Sequence, residues 1–373
     1  MKRSLIWGNI AAYVVLTGGG ATMLVPLAWM VATSLKDPSA ATSFPPEFLP
    51  RIQESWRDPA TGQTRPLYWC EIEGRRAKVA KLRIVKGAAV VRVLEPPEMA
   101  GRELTVPLVR NTLKGHVETL RPAKRLYLRW ANYSEAWHAI QLERPWMAFR
   151  IGPIECPGIR IRDGFLAFYL NSLIVTITVT LGQLLTSSLA AYAFARLRFP
   201  GRDGLFLGYL ATIMVPHVVT MIPVFILLRW LRMIDTYWAM ILPLMFSAYG
   251  TFLLRQFFLS VPQDLEDAAR LDGCGAWGVY RQVILPLSRP ALAALGTFVF
   301  LGTWNQFMWP LIVMNSTEKM PLMLGLYSFM GQYSAEWHYL MAASVMVMGP
   351  VVLVFLIGQR YFVQGVVLSG MKG

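Results

Sequence analysis

Six apolar stretches dominate this chain, and each approaches or exceeds the ~20 residues a helix needs to cross a hydrocarbon core. They lie at residues 5–35, 165–194, 205–228, 237–254, 291–314 and 339–357. A chain patterned in this way folds in a lipid bilayer. Its composition agrees: 55% of the 373 residues are hydrophobic and 16% are charged, a balance uncommon in soluble globular proteins. The first stretch carries no charge between Arg3 and Lys36, which is long for one span and allows tilt or extension beyond the bilayer. Lys2 and Arg3 ahead of an apolar run also resemble the opening of a secretory signal. This run is far longer than a signal core and no clear small-x-small cleavage site follows it, so it is read as a retained span.

A formal net charge of +14 invites a nucleic-acid reading, and the location of the charge answers it. Residues 36–163 hold 22 of the 36 basic and 14 of the 22 acidic residues, a local excess of eight. The other six sit in short loops and tails between spans, and no nucleic-acid module accompanies them, so nucleic acid is not an expected partner. Lys and Arg of short loops accumulate on the cytoplasmic side. With the N-terminus inside, that side receives Lys2, Arg3, Arg196, Arg198, Arg202, Arg255, Arg270, Arg281, Arg289, Arg360 and Lys372. The opposite short loops receive only Arg229, Arg232 and Lys319. Both termini are therefore expected in the cytoplasm.

The segment 36–163 is the compositional outlier. Pro45-Pro46, Pro50 and Pro59 make its start extended. Strand-like runs follow at 67–73, 77–85, 88–95 and 103–109, separated at Gly74-Arg75, Lys86-Gly87 and Pro96-Pro97. Lys81-Leu82-Arg83-Ile84 alternates polar and apolar, the period of a strand with one buried face. A small β-rich domain inserted after the first span is the expectation, with an amphipathic helix at 132–142 leading back to the membrane. The three cysteines make neither a disulfide framework nor a metal spacing. Cys70 and Cys156 lie in this insertion and Cys274 in a short loop; outside the cytoplasm the first two are either a pair or two separate buried thiols.

Residues 258–290, between the fourth and fifth spans, form an amphipathic connection longer than a turn. Pro262 and Asp264 can start a helix whose first turn carries Asp264, Glu266 and Asp267, where the helix dipole favours acids. Leu265, Ala268, Ala269 and Asp272 share one face, and Gly273 can close the helix in a left-handed cap. A second short helix is expected from Trp277 to Ile284, stopping at Pro286. Two alanines permit close approach by a partner, and the acids can pair with a partner's Arg or Lys. A helix lying on the membrane surface is the competing reading, but such helices carry Lys or Arg toward anionic lipid, and this one begins with three acids.

Glu266-Asp267-Ala268-Ala269-Arg270-Leu271-Asp272-Gly273, then nine residues, then Val283-Ile284-Leu285-Pro286 resembles the EAA loop of binding-protein-dependent ABC importers. The family pattern is Glu-Ala-Ala, three residues, Gly, nine residues, Ile, one residue, Leu-Pro; Asp267 stands for Glu and Val283 for Ile. The resemblance runs from residue 165 to the C-terminus through Tyr169-Leu170-Asn171-Ser172, Met221-Ile222-Pro223, Leu301-Gly302-Thr303-Trp304-Asn305-Gln306-Phe307 and Gln359-Arg360-Tyr361-Phe362. It is similar to the carbohydrate-type permeases, and among them to the smaller permease subunit of the maltose transporter family.

What the resemblance implies is an all-α polytopic membrane protein of six transmembrane helices. These are a five-helix type I importer core plus the N-terminal helix, with a small β-rich extracytoplasmic insertion. The parts would be 1–35, the first span; 36–163, the insertion; 164–360, the permease core with its EAA loop at 258–290; and 361–373, a cytoplasmic tail. It implies a second permease subunit, two cytoplasmic ABC ATPase subunits and an extracytoplasmic solute-binding protein as partners besides the lipid bilayer. Coupling to the ATPase would fall to Glu266, Asp267, Ala268, Ala269, Asp272, Gly273, Leu285 and Pro286, with Glu266 able to replace Asp267 in a salt bridge. Gln364, Ser369 and Met371 would be weaker contacts from the tail. The chain would be multi-pass in a bacterial or archaeal inner membrane and carry no cofactor itself; ATP and magnesium belong to the partner.

Other classes are an ion-coupled secondary transporter and a non-transporting assembly partner. Ion-coupled carriers commonly place carboxylates within the membrane, whereas the five later stretches contain no Asp or Glu, and His217 is the one ionisable group near the middle of one. The sequence has no Gly-x4-Gly-Lys-Ser/Thr phosphate loop, nor a nucleophile triad or zinc-helix signature, so it is not expected to be an enzyme. Polar groups at membrane depth are the pathway candidates: Asn171, Thr176, Gln183, Asn305 and Gln306, with Trp304 offering a face to a sugar ring. Taken singly, each amide is better suited to bonding one helix to another.

Overall fold

A computed structural model of the chain describes residues 2–42, 46–72, 74–85, 88–107, 120–146, 149–151, 154–156, 159, 161–332 and 336–370. The contacts divide into two compact units, Met1–Ala136 with Tyr333–Val345, and Trp137–Gln332 with Met346–Gly373. The sequence boundary at residue 163 thus falls inside the second unit.

The first unit opens with helix α1 (Lys2–Ser34) and a one-turn helix α2 (Pro38–Ala41), whose start is capped by the Asp37 carboxylate accepting the Ser39 N–H. A helix ends in carbonyls with no partner of its own. Here the Asn132 amide, on helix α3 (Ala131–His138), donates to the carbonyls of Ser34 and Lys36, both at 2.8 Å. Between them lies the β-rich insertion. Strand β1 (Arg51–Gln53) is followed by β2 (Ser55–Arg57), β3 (Thr64–Ile72), β4 (Arg75–Val85), β5 (Ala88–Glu95) and β6 (Glu103–Pro107), the last five an antiparallel meander in chain order. Strand β7 (Arg121–Pro122) lies beside β3, and β8 (Lys124–Leu126) pairs with β1.

The four strands expected from sequence correspond to β3 through β6. The turn at Lys86-Gly87 and the strand end at Val109 lie outside the described residues. Ala89, Val91 and Val93 of β5 alternate into the core with Val79 and Ala77 of β4. The buried face expected over 81–84 is corrected: Arg83, Ile84 and Val85 are all exposed, where β4 continues past Ala80, the last of its residues paired with β3. The helix expected over 132–142 ends at His138; Gln141 and Trp146 form isolated bridges to Asp163 and Ile159 instead.

The second unit carries a short hairpin, β9 (Phe149–Ile151) and β10 (Ile154–Cys156), and then the 33-residue helix α4 (Gly164–Arg196). Around it follow α5 (Arg202–Ala211), α6 (His217–Trp230), α7 (Tyr237–Ile241), α8 (Ala248–Ser260), α9 (Gln263–Leu271), α10 (Ala276–Val279), α11 (Leu285–Leu287), α12 (Arg289–Trp304), α13 (Met308–Val313) and α14 (Leu322–Gln332). The last helix, α15 (Trp337–Gly370), begins in the first unit and ends in the second. The core of the second unit gathers Val175, Val179, Leu254, Phe258, Ile284, Leu295 and Trp309.

Among the described residues, three segments, Ala12–Ser34, Gly164–Arg196 and Trp337–Gln359, are long and apolar enough to cross a bilayer unbroken, and three bent pairs raise the number to as many as six. Three of the expected spans are interrupted. The stretch 205–228 bends by 100° between Met214 and His217, where Pro216 removes a donor and forces Val215 into extended backbone. The stretch 237–254 bends by 41° before Ala248. The third bent pair, Ala276–Leu287 with Arg289–Trp304, turns by 76° at Ser288; the stretch 291–314 separately breaks after Trp304, and α13 resumes at Met308.

Close helix contact in a membrane relies on small residues. A Cβ built on Gly325 of α14 would lie 2.2 Å from Cδ2 of Phe168, a ring with no exposed surface on α4. Gly325→Val should therefore lower the thermal unfolding midpoint in detergent, with an overpacking cost of about 1–3 kcal/mol. An unchanged midpoint would show that α4 and α14 do not meet there.

Candidate functional site

The elbow between α8 and α12 is built from local sequence and then bolted to α4. Extended Val261 and Pro262 turn the chain out of α8, and α9 starts with Asp264 and Glu266 in its first turn. Its end is a Schellman cap. Gly273 takes φ +89° and donates to the Arg270 carbonyl at 3.0 Å, and Cys274 donates to the Ala269 carbonyl at 2.9 Å. From Ala276 the chain is helical again. The expectation that this second helix stops at Pro286 is corrected: it runs on through α11 to Leu287. A π-helical turn at Tyr280–Ile284 ends two residues before the proline. That wider turn displaces the carbonyls the ring would otherwise meet.

Three residues of α4, spaced by four and so on one helix face, hold this elbow. The Ser188 hydroxyl lies 2.8 Å from the Tyr280 hydroxyl. The Tyr192 hydroxyl donates to the Ala276 carbonyl at 2.9 Å. Arg196 donates to the carbonyls of Phe258 and Val261 at the end of α8, and its Nε lies 2.8 Å from Glu266 Oε1. That N–H points off the line to the oxygen, so the contact is an ion pair rather than a straight hydrogen bond. Arg270 approaches the other Glu266 oxygen at 4.0 Å. The Arg196 and Glu266 side chains are 10% and 3% exposed.

Glu266 is therefore turned inward, and the acid that reaches solvent is Asp267, with Asp264 and Asp272 beside it. Ala268, Gly273 and Pro286 are also exposed, while Ala269 and Leu285 pack partly on the core. The outer surface adds three apolar side chains: Leu265, Leu271, which is 90% exposed, and Trp277. The elbow thus offers an apolar knob rimmed by carboxylates, on a rigid mount. Sequence reasoning missed Ser188, Tyr192, Trp277 and the bolting role of Arg196. A polar residue every fourth position in an otherwise apolar span was the available signal.

The pathway candidates separate. Asn171 Oδ1 accepts from Trp146 Nε1 at 2.7 Å and from the Tyr237 hydroxyl at 2.6 Å, and its Nδ2 donates to the carbonyls of Glu318 and Met320. It has no hydrogen-bonding capacity left for a solute. Trp304 is buried, donates to the Val347 carbonyl and packs between Tyr169 and Phe300. Asn305 closes its own helix by donating to Leu301, and Gln183 is half-buried on α4. Thr176 and Gln306 line one small cavity of about 10 Å³ with Ser172 and Thr303, room for a single water. Gln364 and Ser369 lie on α15 at positions whose side chains are outside the described residues, as is Met371 altogether.

The loop that Asn171 holds is also clipped by Asp235, at φ 61°. Its carboxylate accepts from the N–H groups of Asn315 and Ser316 and from the Ser316 hydroxyl, and Lys319 lies 3.3 Å away. Burial would raise this carboxyl, but the Ser316 and Asn315 donors and the Lys319 ammonium outweigh it and hold it below the ordinary carboxylate range.

Residues 172–368 match the family described as "Binding-protein-dependent transport system inner membrane component". The sn-glycerol-3-phosphate transport system permease protein UgpE of Yersinia enterocolitica is 36% identical over 253 residues, 67% of this chain and 83% of the relative. The arabinooligosaccharides transport system permease protein AraQ of Halalkalibacterium halodurans is 39% identical over 203 residues, 54% of this chain and 73% of the relative. A chain from the crystal structure of a bacterial ABC transporter involved in the import of alginate superposes with a TM-score of 0.62 at 19% identity, covering 97% of this chain and 98% of the other. With the family matched across more than half its length, the chain belongs to the inner-membrane components of binding-protein-dependent transport systems.

Proposed function

We propose that this chain is one of two permease subunits of an ATP-driven importer for a sugar or oligosaccharide. Its elbow takes up the motion of a separate cytoplasmic ATPase. The observation that carries the reading is the elbow itself: an exposed knob of Leu265, Ala268, Leu271 and Trp277 with Asp264, Asp267 and Asp272 around it, fixed by Arg196 to the end of α4. Nothing in the fold of one chain requires an apolar tip like Leu271 to stand in water; a cleft in a second protein would cover it.

In this reading six spans cross the membrane, three of them bent, and both termini and the elbow are cytoplasmic, as the loop charges favour. Residues 36–163 form the extracytoplasmic insertion, 164–360 the permease core and 361–373 a cytoplasmic tail. The partners are a second permease, two ATPases that bind ATP and magnesium, and an extracytoplasmic solute-binding protein. The names of the relatives supply the cargo class, a carbohydrate or its phosphate ester. Reconstitution with the three partners into proteoliposomes should give uptake of labelled oligosaccharide that requires both ATP and the binding protein. Uptake driven by a proton or sodium gradient without ATP would replace this reading with a secondary carrier.

Cys274, two residues before α10, tests the orientation. It is partly exposed, whereas Cys70 is a buried free thiol whose pKa is raised by that burial, so Cys70 reacts slowly. In a Cys156→Ala background, a membrane-impermeant maleimide should label Cys274 in inverted vesicles and not in intact cells. The opposite pattern would place the elbow on the wrong side for an ATPase.

A further inference from the structure

We propose that residues 124–130, with the Phe48-Leu49 corner beside them, form a membrane-interface anchor that seats on anionic phospholipid headgroups at the end of α1. The run reads Lys-Arg-Leu-Tyr-Leu-Arg-Trp. Its apolar members stand in solvent: Leu126 is 61% exposed and Trp130 65%, and Tyr127, Leu128, Phe48 and Leu49 are exposed as well. Arg125 and Arg51 are exposed among them, and Lys124 is paired with the Glu47 carboxylate beside Phe48.

This patch is held at one depth relative to the first span. Strand β1 pairs with β8, placing Arg51 opposite Leu126, and the Tyr127 N–H donates to the Pro50 carbonyl at 3.0 Å. The Arg129 N–H donates to the Leu35 carbonyl, also at 3.0 Å, so the ribbon grows directly from the end of α1. The Phe48 ring packs edge-on against Trp29 at 5.7 Å, and the Lys36 ammonium lies 4.2 Å over the Trp29 ring. Trp29 precedes Ser34 by five residues, or about 7.5 Å along a helix. Lys36 is the first charged residue after the apolar run of α1, and Trp29 lies within two helical turns of it. The Trp29–Phe48 pair and the ribbon bonded to the end of α1 are thereby placed at the polar end of the span, where hydrocarbon gives way to headgroups.

Lipid is the occupant that fits this chemistry. Aromatic side chains collect at the headgroup level because one end is apolar and the other polar. Exposed Arg51 and Arg125 beside them complement lipid phosphates, and their long stems extend over apolar surface while the charge stays wet. The anchor would fix the height and tilt of the β-rich unit over the bilayer, whatever solute the importer carries.

Single cysteines at Leu126, Leu128 and Trp130, and at exposed Arg83 of β4 as a reference, are introduced into the full chain carrying Cys156→Ala and Cys274→Ala. Each is labelled with an environment-sensitive fluorophore in nanodiscs of phosphatidylcholine with or without phosphatidylglycerol. The expected result is blue-shifted emission at 126, 128 and 130, quenched by a headgroup nitroxide and spared by aqueous iodide, with the reverse at 83. Arg51→Glu with Arg125→Glu should reduce the nitroxide quenching in phosphatidylglycerol discs only. Iodide quenching at 126–130 equal to that at 83 would overturn the anchor. Shielding that arises only when a second permease copurifies would also overturn it, by assigning the face to a protein. Equal nitroxide quenching in both lipids, unaffected by the charge reversals, would refute the anionic preference.

Discussion

Gly273→Pro is expected to abolish solute uptake and retention of the ATPase while the permease still inserts and accumulates in the membrane. The cap requires φ +89° at this position and uses its N–H to close the last turn of α9. Proline fixes φ near −65° and has no N–H, at a cost of about 3 kcal/mol or more in a helical bond pattern, which is roughly a hundredfold in the population of the capped elbow. Gly273→Ala keeps the N–H and incurs only the left-handed penalty of about 1–2 kcal/mol, so it should reduce uptake by about tenfold rather than eliminate it. Asp267→Arg leaves the cap intact and reverses the exposed charge; it too should release the ATPase. Co-purification of the ATPase with each variant, beside uptake in cells, is the measurement. Wild-type behaviour in both Gly273→Pro and Asp267→Arg would remove the elbow from the coupling machinery.

Arg196→Met should have an effect of the same order by another route. It leaves the buried Glu266 carboxylate with only the half-exposed Arg270 guanidinium at 4.0 Å, and the carbonyls of Phe258 and Val261 without their donor. Removing one partner of a buried pair costs about 3–5 kcal/mol. Uptake should be lost and protease cleavage near Gly273 accelerated, with the protein still in the membrane. Arg196→Lys should rescue poorly, because an ammonium cannot present the fork that spans three acceptors. Arg196→Met combined with Glu266→Leu removes the stranded charge and should recover part of the lost protease resistance. Normal uptake by Arg196→Met alone would mean that α4 does not hold the elbow.

The parts of this elbow that were legible in the sequence are the ones set by near neighbours. A proline and acids at a helix start, and a glycine at its end, act within one turn, so the bounds of α9 could be read directly. The inward turn of Glu266 depends on Arg196, seventy positions earlier, and no periodicity in the loop distinguishes it from Asp267. The same holds for Asn171. As an amide at membrane depth it can serve a solute or a neighbouring helix, and only its four partners from distant segments decide. Hydropathy located the apolar stretches but not their continuity. The bend at Pro216 had a local signal in proline; the break after Trp304 had none, because Asn305 and Gln306 read as pathway residues rather than as the end of a helix. In the insertion, alternation marked out the strands. It did not mark the open end of β4 at Arg83–Val85, because that exposure depends on where the neighbouring β3 stops pairing and not on the strand's own alternation.

The α4 helix joins two of these sites with a single stiff rod. Arg196 grips the elbow near one end, and Asn171 holds the 318–320 loop near the other, 25 residues and about 37 Å away. A tilt of about 5° over that length moves the far tip by roughly 3 Å, comparable to the length of one hydrogen bond. A tilt of that size, pivoting at the elbow, would carry Asn171 by about one hydrogen-bond length relative to any partner that did not move with it. The lever ratio is set by where along α4 its two polar grips happen to fall.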